Sequence, residues 1–264
     1  MMPLALDRSG FMFHPKKFFW MSCVLEVQDV VTPASRFVIT VDGLAASGKS
    51  SIARQLAQRL GFVHFSSGLL YRAVGWEALE RGIDLLDDRV LGAFVESHSW
   101  EVGLDSSGRG GVFIDGRAVA VDLSDARISE AASCVATSRR VRQALVQPQR
   151  QAYAPHPIVG EGRDLGTVIF PDAQLKLFVE APEQLRISRR IKQWCEARGE
   201  GVIADEAVLQ AEIVERDRRD AERAISPTVA APDAVLVDNG GRALTEVVDY
   251  LYTLASSRGL VSGV

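Results

Sequence analysis

FVITVDGLAASGKSSIARQLAQRLGF, residues 37–62, decides the fold of this 264-residue chain. Phe37–Val41 is a short β-branched and aromatic run, the mark of a buried parallel strand. Residues 43–50, GLAASGKS, match G-x-x-x-x-G-K-[ST] at every fixed position. Glycines let the backbone N–H groups of such a loop turn inward round an anion, and the N-terminus of the following helix adds its positive end. Residues 49–60 carry apolar side chains at Ile52, Leu56 and Leu60, a helical stripe, and Gly61 supplies the stop. The order strand, glycine loop, amphipathic helix reads as a phosphate cradle made by Gly43, Leu44, Ala45, Ala46, Ser47, Gly48, Lys49, Ser50 and Ser51. In it Lys49 reaches the β- and γ-phosphates of a nucleotide, and Ser50 sets its hydroxyl on Mg²⁺.

Downstream, the pattern predicts a strand over 62–65 and helices over 69–80 and 88–97. Residues 100–104 and 112–114 flank the turn SSGRGG and read as an antiparallel hairpin. Helices are expected over 124–136 and 139–153, the second kinked or ended at Pro148. Strands over 157–159, 175–179 and 234–237 then alternate with helices over 182–198, 205–222 and 243–254. Such alternation implies an α/β fold with a five-stranded parallel sheet and helices on both faces. The expected division is a P-loop core (36–99, 154–181 and 224–264), an inserted lobe (100–153), and a further helical segment (182–223). Residues 1–35 read as a poorly ordered N-terminal extension, with Met21 a plausible alternative start.

Composition narrows the class. Apolar residues make up 47% and charged residues 24%, the balance of an ordinary globular protein. The net charge of −4 argues against a nucleic-acid polymer or an anionic membrane as partner. No apolar run reaches 18 residues, so no transmembrane helix is expected. Three cysteines, widely spaced, suit a reducing, cytoplasmic setting and no CxxC-type metal site. No coiled-coil pattern appears, and a monomer is the default. The loop alone does not name a reaction, but N-K-x-D is missing and no Walker-B strand is well matched, which leaves small-molecule kinases ahead of GTPases and motors.

The chain holds 25 arginines against 5 lysines. Arginine presents a planar fork suited to phosphate. Arg216, Asp220 and Arg223 fall at i, i+4 and i+7 and share one helix face, as do Arg186, Arg189 and Arg190. Glu215, Asp217 and Glu222 are interspersed, and spacing alone favours a solvated, salt-bridged surface.

Six stretches in order change that balance: VDGLAASGKSSIARQLAQRLGF, SSGLLYRAV, SEAASCVATSRRVRQAL, EGRDLGTVIFPDAQLKLFVEA, IVERDRRDAERAISP and DAVLVDNGG. The chain resembles the bacterial cytidylate kinases, within the P-loop nucleoside monophosphate kinases, from about Val38 to Leu254. The resemblance implies transfer of the γ-phosphoryl group of ATP, with Mg²⁺, to CMP or dCMP. It implies that Ser67, Tyr71 and Arg72 line the monophosphate site, that Ser133, Arg142 and Asp164 face the cytosine, and that Arg216 and Asp220 hold the ribose. Arg72, Arg163 and Arg223 would bind the acceptor phosphate, and Arg186, Arg189 and Arg190 would lie on the mobile lid. Lys49, Arg163, Arg189 and Arg223 are the implied catalytic cations, and Ser50 the metal ligand. The chain has Ser66 and Glu161 where that family usually has Asp. Two other readings stay open from the residues alone: a P-loop kinase for UMP or another small acceptor, and a nucleotide-binding protein without catalysis.

Overall fold

The computed structural model describes residues 36–105, 108, 110–123, 125–198, 205–223 and 225–261. The extension assigned to residues 1–35 lies outside them. Among the described residues eight strands run in chain order: β1 (Val38–Gly43), β2 (Val63–Ser66), β3 (Trp100–Leu104), β4 (Gly110–Ile114), β5 (Arg117–Ala118), β6 (Ile158–Glu161), β7 (Leu175–Glu180) and β8 (Val235–Asp238). Nine helices accompany them among the described residues: α1 (Lys49–Leu60), α2 (Ser67–Glu80), α3 (Asp88–Glu96), α4 (Ala126–Val135), α5 (Arg139–Ala144), α6 (Val146–Gln151), α7 (Glu183–Arg198), α8 (Glu206–Glu222) and α9 (Leu244–Ser257). A single π-helical turn, Leu165–Ile169, follows β6.

The main sheet is parallel with strand order β2-β6-β1-β7-β8, so β1 lies at its centre. A parallel sheet is covered on both faces, and each face here has its own buried cluster. Ile39, Val41, Val159, Leu175, Leu177 and Val179 pack against Ile52, Leu56 and Leu60 of α1 and Val247 and Leu251 of α9. On the other face, Val38, Phe65 and Ile158 join Leu70 and Val74 of α2, Leu91 of α3, Val135 of α4 and Leu145. The same cluster takes in Trp100, Val102, Val112 and Ile114 of the small antiparallel sheet β3-β4-β5. No helix among the described residues is long and apolar enough to cross a membrane.

Three expectations are corrected. The single helix over 139–153 is two helices, parted at Leu145 rather than bent at Pro148. Pro148 stands in the first turn of α6, where a missing N–H leaves no intrahelical bond unmade. The strand over 157–159 continues to Glu161, and the helix over 69–80 begins two residues earlier, at Ser67. The π-helical turn went unforeseen, because LGTVI shows neither a period of 3.6 nor a cap of its own.

Leu56 is fully buried between α1 and the sheet. Leu56→Ala is expected to cost about 2–5 kcal/mol, read as a lower denaturation midpoint. Tyr250→Ala, on the exposed side of α9, is expected to stay within about 0.5 kcal/mol.

Candidate active site

The cradle begins where β1 ends. Gly43 has φ +150°, and a Cβ there would run into the Val179 carbonyl oxygen. Gly48 has φ +92°, and a Cβ there would run into the Asn239 amide. Both fixed glycines are therefore required by close approach as well as by torsion. The outer side of the loop is tied down by its neighbours. Asn239 Nδ2 donates to the Ser47 carbonyl at 2.7 Å and Arg189 Nη1 donates to it at 3.1 Å. Arg189 Nη2 donates to the Asn239 carbonyl at 2.9 Å. Arg186 donates to the Ala45 carbonyl at 3.1 Å and pairs with Asp217, whose Oδ1 accepts from the Ala45 N–H at 3.0 Å.

Lys49 is buried, with Nζ donating to the Leu44 carbonyl at 3.1 Å. Burial, reinforced by the Arg163 charge and opposed by Glu161, brings its ammonium down to about 7. Glu161 closes β6 beside Ser66 of β2. Burial would lift its carboxyl, but Lys49, the nearby hydroxyls of Ser50 and Ser66, and His64 hold it below the ordinary range. Its Oε2 is buried and makes no hydrogen bond of its own.

A cavity of about 900 Å³ opens over the loop. Its far wall carries arginines braced by acids. Arg163 Nε donates to Asp220 Oδ2 at 2.9 Å, and Arg223 Nη2 lies 3.4 Å from Asp220 Oδ1. Burial pushes the Asp220 carboxyl up, yet Arg163 and Arg223 together bring it below its usual value. Arg216 stands among Arg163, Arg72 and Arg190, and burial with those neighbours lowers its guanidinium to about 10. In a buried corner Arg142 pairs with Asp164, its guanidinium 5.6 Å from the Tyr71 ring centre. Ser133 Oγ and Arg142 Nε are buried there without a hydrogen-bond partner.

Ala45, Ala46, Gly48, Lys49, Ser50, Ser51, Ser67, Tyr71, Arg72, Ser133, Arg142, Arg163, Asp164, Arg190, Arg216, Asp220 and Arg223 all reach this one cavity. Gly43, Leu44, Ser47, Arg186 and Arg189 do not line it: the first three form the back of the loop, and the two arginines grip its carbonyls. Four acids and an amide escaped assignment from the sequence. Glu161 ends a strand beside the loop, a position from which strand-end acids are findable. Asp42 also stands out at its strand end just before the loop, but the sequence left its role open between holding backbone and holding a metal-bound water; it accepts from backbone N–H groups of Leu165 and Gly166. Asp217 and Asn239 act on backbone atoms distant in the chain, and Glu130 at the cavity rim meets Arg219 at 3.0 Å; no local pattern announces these three.

A parallel sheet with a phosphate cradle at its centre, facing a second wall of braced arginines, is the plan of a P-loop nucleoside monophosphate kinase. Comparison with known proteins is more specific. Residues 39–257 match the cytidylate kinase family, and the chain belongs to it. The cytidylate kinase of Pelotomaculum thermopropionicum is 37% identical over 219 residues, covering 83% of this chain and 96% of that protein. That of Rhodopseudomonas palustris (strain TIE-1) is 41% identical over 222 residues, 80% of this chain and 95% of that one. The bifunctional pantoate ligase/cytidylate kinase of Synechococcus elongatus is 37% identical over 238 residues; the match takes in 89% of this chain and spans 45% of the relative, less than half its length.

A phosphate bound in the cradle would add to the partial counter-charge that Glu161 gives buried Lys49, so Lys49 is expected to regain its proton on binding. Above pH 7, binding of tripolyphosphate is expected to take up about one proton, measured by calorimetry in buffers of different ionisation enthalpy. Lys49→Met abolishes the uptake; an unchanged uptake would place the titrating group elsewhere.

Proposed function

We propose that this chain transfers the γ-phosphoryl group of ATP to CMP or dCMP. The observation that carries the reading is the two-sided cavity, with the Lys49 cradle on one wall and the arginines braced by Asp220 on the other. Nine Lys and Arg side chains line it against five Asp and Glu, an excess of four positive charges in a chain whose net charge is −4. ATP, Mg²⁺ and a nucleoside monophosphate together carry roughly four negative charges at neutral pH, so the cavity and its contents balance.

A phosphate oxygen is already nucleophilic at neutral pH, so no strong base is required of the protein. The cradle N–H groups and Lys49 hold the donor phosphates, and Arg72, Arg163 and Arg223 hold the acceptor phosphate in line with them. Asp220, once its arginines turn to phosphate, offers its carboxylate to the ribose hydroxyls. The residues present fit Mg²⁺: Ser50 gives a hydroxyl and Glu161 a free carboxylate oxygen beside it, and an ion that keeps most of its waters needs few protein groups. Mg²⁺ bound there supplies further neutralisation of phosphate charge. Arg189 and Arg186, which grip the loop from α7, couple the position of that helix to the cradle.

The buried corner suits cytosine. Its exocyclic amine donates where uracil has a carbonyl acceptor. The Asp164 carboxylate and the unpartnered Ser133 hydroxyl accept from that amine. Uracil would set oxygen against carboxylate and leave buried groups unpaired.

Coupled ADP release with ATP, Mg²⁺ and one monophosphate at a time tests the reaction. Fast turnover is expected with CMP and dCMP, little with UMP, AMP or GMP, and a loss of several orders of magnitude in a folded Lys49→Ala protein. Silence with every acceptor, ATP still binding, would reject the kinase reading. Asp164→Asn is expected to shift the CMP/UMP ratio of kcat/KM toward UMP by about tenfold or more; an unchanged ratio removes Asp164 from base recognition.

A further inference from the structure

Asp42 sits near the end of β1, 4% exposed, and nothing in the transfer step uses it. Its Oδ1 accepts from the Leu165 N–H at 3.0 Å and its Oδ2 from the Gly166 N–H at 2.8 Å, bonds that span more than 120 residues of chain. Those are the first donors of the π-helical turn. A residue placed as Asp164 is, just before a helical turn, ordinarily folds its own carboxylate back onto the N–H of the second or third residue of the turn, here Gly166 or Thr167, so Asp42 occupies one of its usual donors. Asp164 makes no such bond, and its carboxylate is turned to Arg142 instead.

The packing of the segment agrees. A Cβ at Gly166 would stand 2.9 Å from Thr40 Oγ1, and one at Gly162 would stand 2.7 Å from Leu165 Cγ and 2.8 Å from Ser67 Oγ. With the Gly162 N–H donating to the Val41 carbonyl at 3.1 Å, the run 162–166 lies against β1, within reach of a short acid there. A longer acid would overshoot, and an apolar residue would leave two buried N–H groups unpaired.

We infer that Asp42 is a positioning residue that caps this turn in place of Asp164, which frees the Asp164 carboxylate for Arg142 and the acceptor base. The inference rests on the acceptor-site reading above. Through Asp42 the strand that ends in the phosphate cradle also fixes the residues of the acceptor side, so one short side chain sets the two halves of the site in register. Asparagine at position 42 keeps one acceptor and sets its amide N–H₂ against the second N–H. Asp164 is then drawn back to the turn and away from Arg142.

The test is calorimetric binding of CMP and of ATP to the full chain, wild type, Asp42→Asn, Asp164→Asn and the double variant, with melting curves to establish folding. Asp42→Asn is expected to weaken CMP by about tenfold or more and to leave ATP within about twofold. In the Asp164→Asn background it is expected to add little, because it acts through Asp164. Equal weakening of both nucleotides, additive losses, or no change in CMP affinity would overturn it. If Asp42→Asn does not fold, amide exchange in the wild type decides: Leu165 and Gly166 are expected to exchange as slowly as β1, and fast exchange there removes the cap. A wild type that binds ATP but not CMP would instead defeat the acceptor reading, and the same exchange measurement then judges the cap alone.

Discussion

Like charges do not gather in a half-buried wall unless something holds them there. Burial and mutual repulsion draw Arg216 down to about 10 and Lys49 to about 7, away from their comfortable charged states. The structure answers by giving nearly every important cation an acid: Asp220 between Arg163 and Arg223, Asp164 against Arg142, Glu161 beside Lys49, Asp217 against Arg186. These acids serve two ends. They keep the arginines extended and aimed in the absence of phosphate, and they release them at little cost when a stronger anion arrives. The positive excess that remains is the part left for the ligands, and a protein built this way gains stability from whatever polyanion it binds.

Such a wall has to be supported by packing elsewhere. The two buried clusters on either face of the sheet supply it, and β1 joins them. Because β1 lies between β6 and β7, the segments that follow all three strands emerge at one edge. The cradle follows β1, Gly162–Asp164 follows β6, and the loop after β7 leads into α7. The sheet thus delivers glycine loop, cavity arginine and gripping helix to one place by topology alone, the general advantage of the carboxyl edge of a parallel sheet.

The pair α7 and α8 reaches the cradle from the far side. Its contacts are to backbone: Arg186 and Arg189 to loop carbonyls, Asp217 to a loop N–H. Backbone contacts of this kind sense the shape of the loop rather than its side chains. Any change of loop shape on binding phosphate is felt directly by both helices, and any motion of the helices is felt by the loop.

The sequence by itself determined whatever depends on neighbours in the chain. The cradle was legible because strand, glycines, lysine and helix are consecutive, and the torsions at Gly43 and Gly48 demand that residue type. The parallel sheet was legible because β-branched runs alternate with helical stripes. Arg163 and Asp220 were singled out through motifs of their own. Tertiary structure alone decided which of these meet. It set Arg163 on Asp220 and Arg142 on Asp164, turned Arg189 onto the Ser47 and Asn239 carbonyls and away from the cavity, and moved the break in the 139–153 helix to Leu145. It also joined Asp42 to Leu165 and Gly166. Those outcomes depend on distance in space between groups far apart along the chain. A carboxylate at the end of a strand carries no sign of which buried N–H groups it will find.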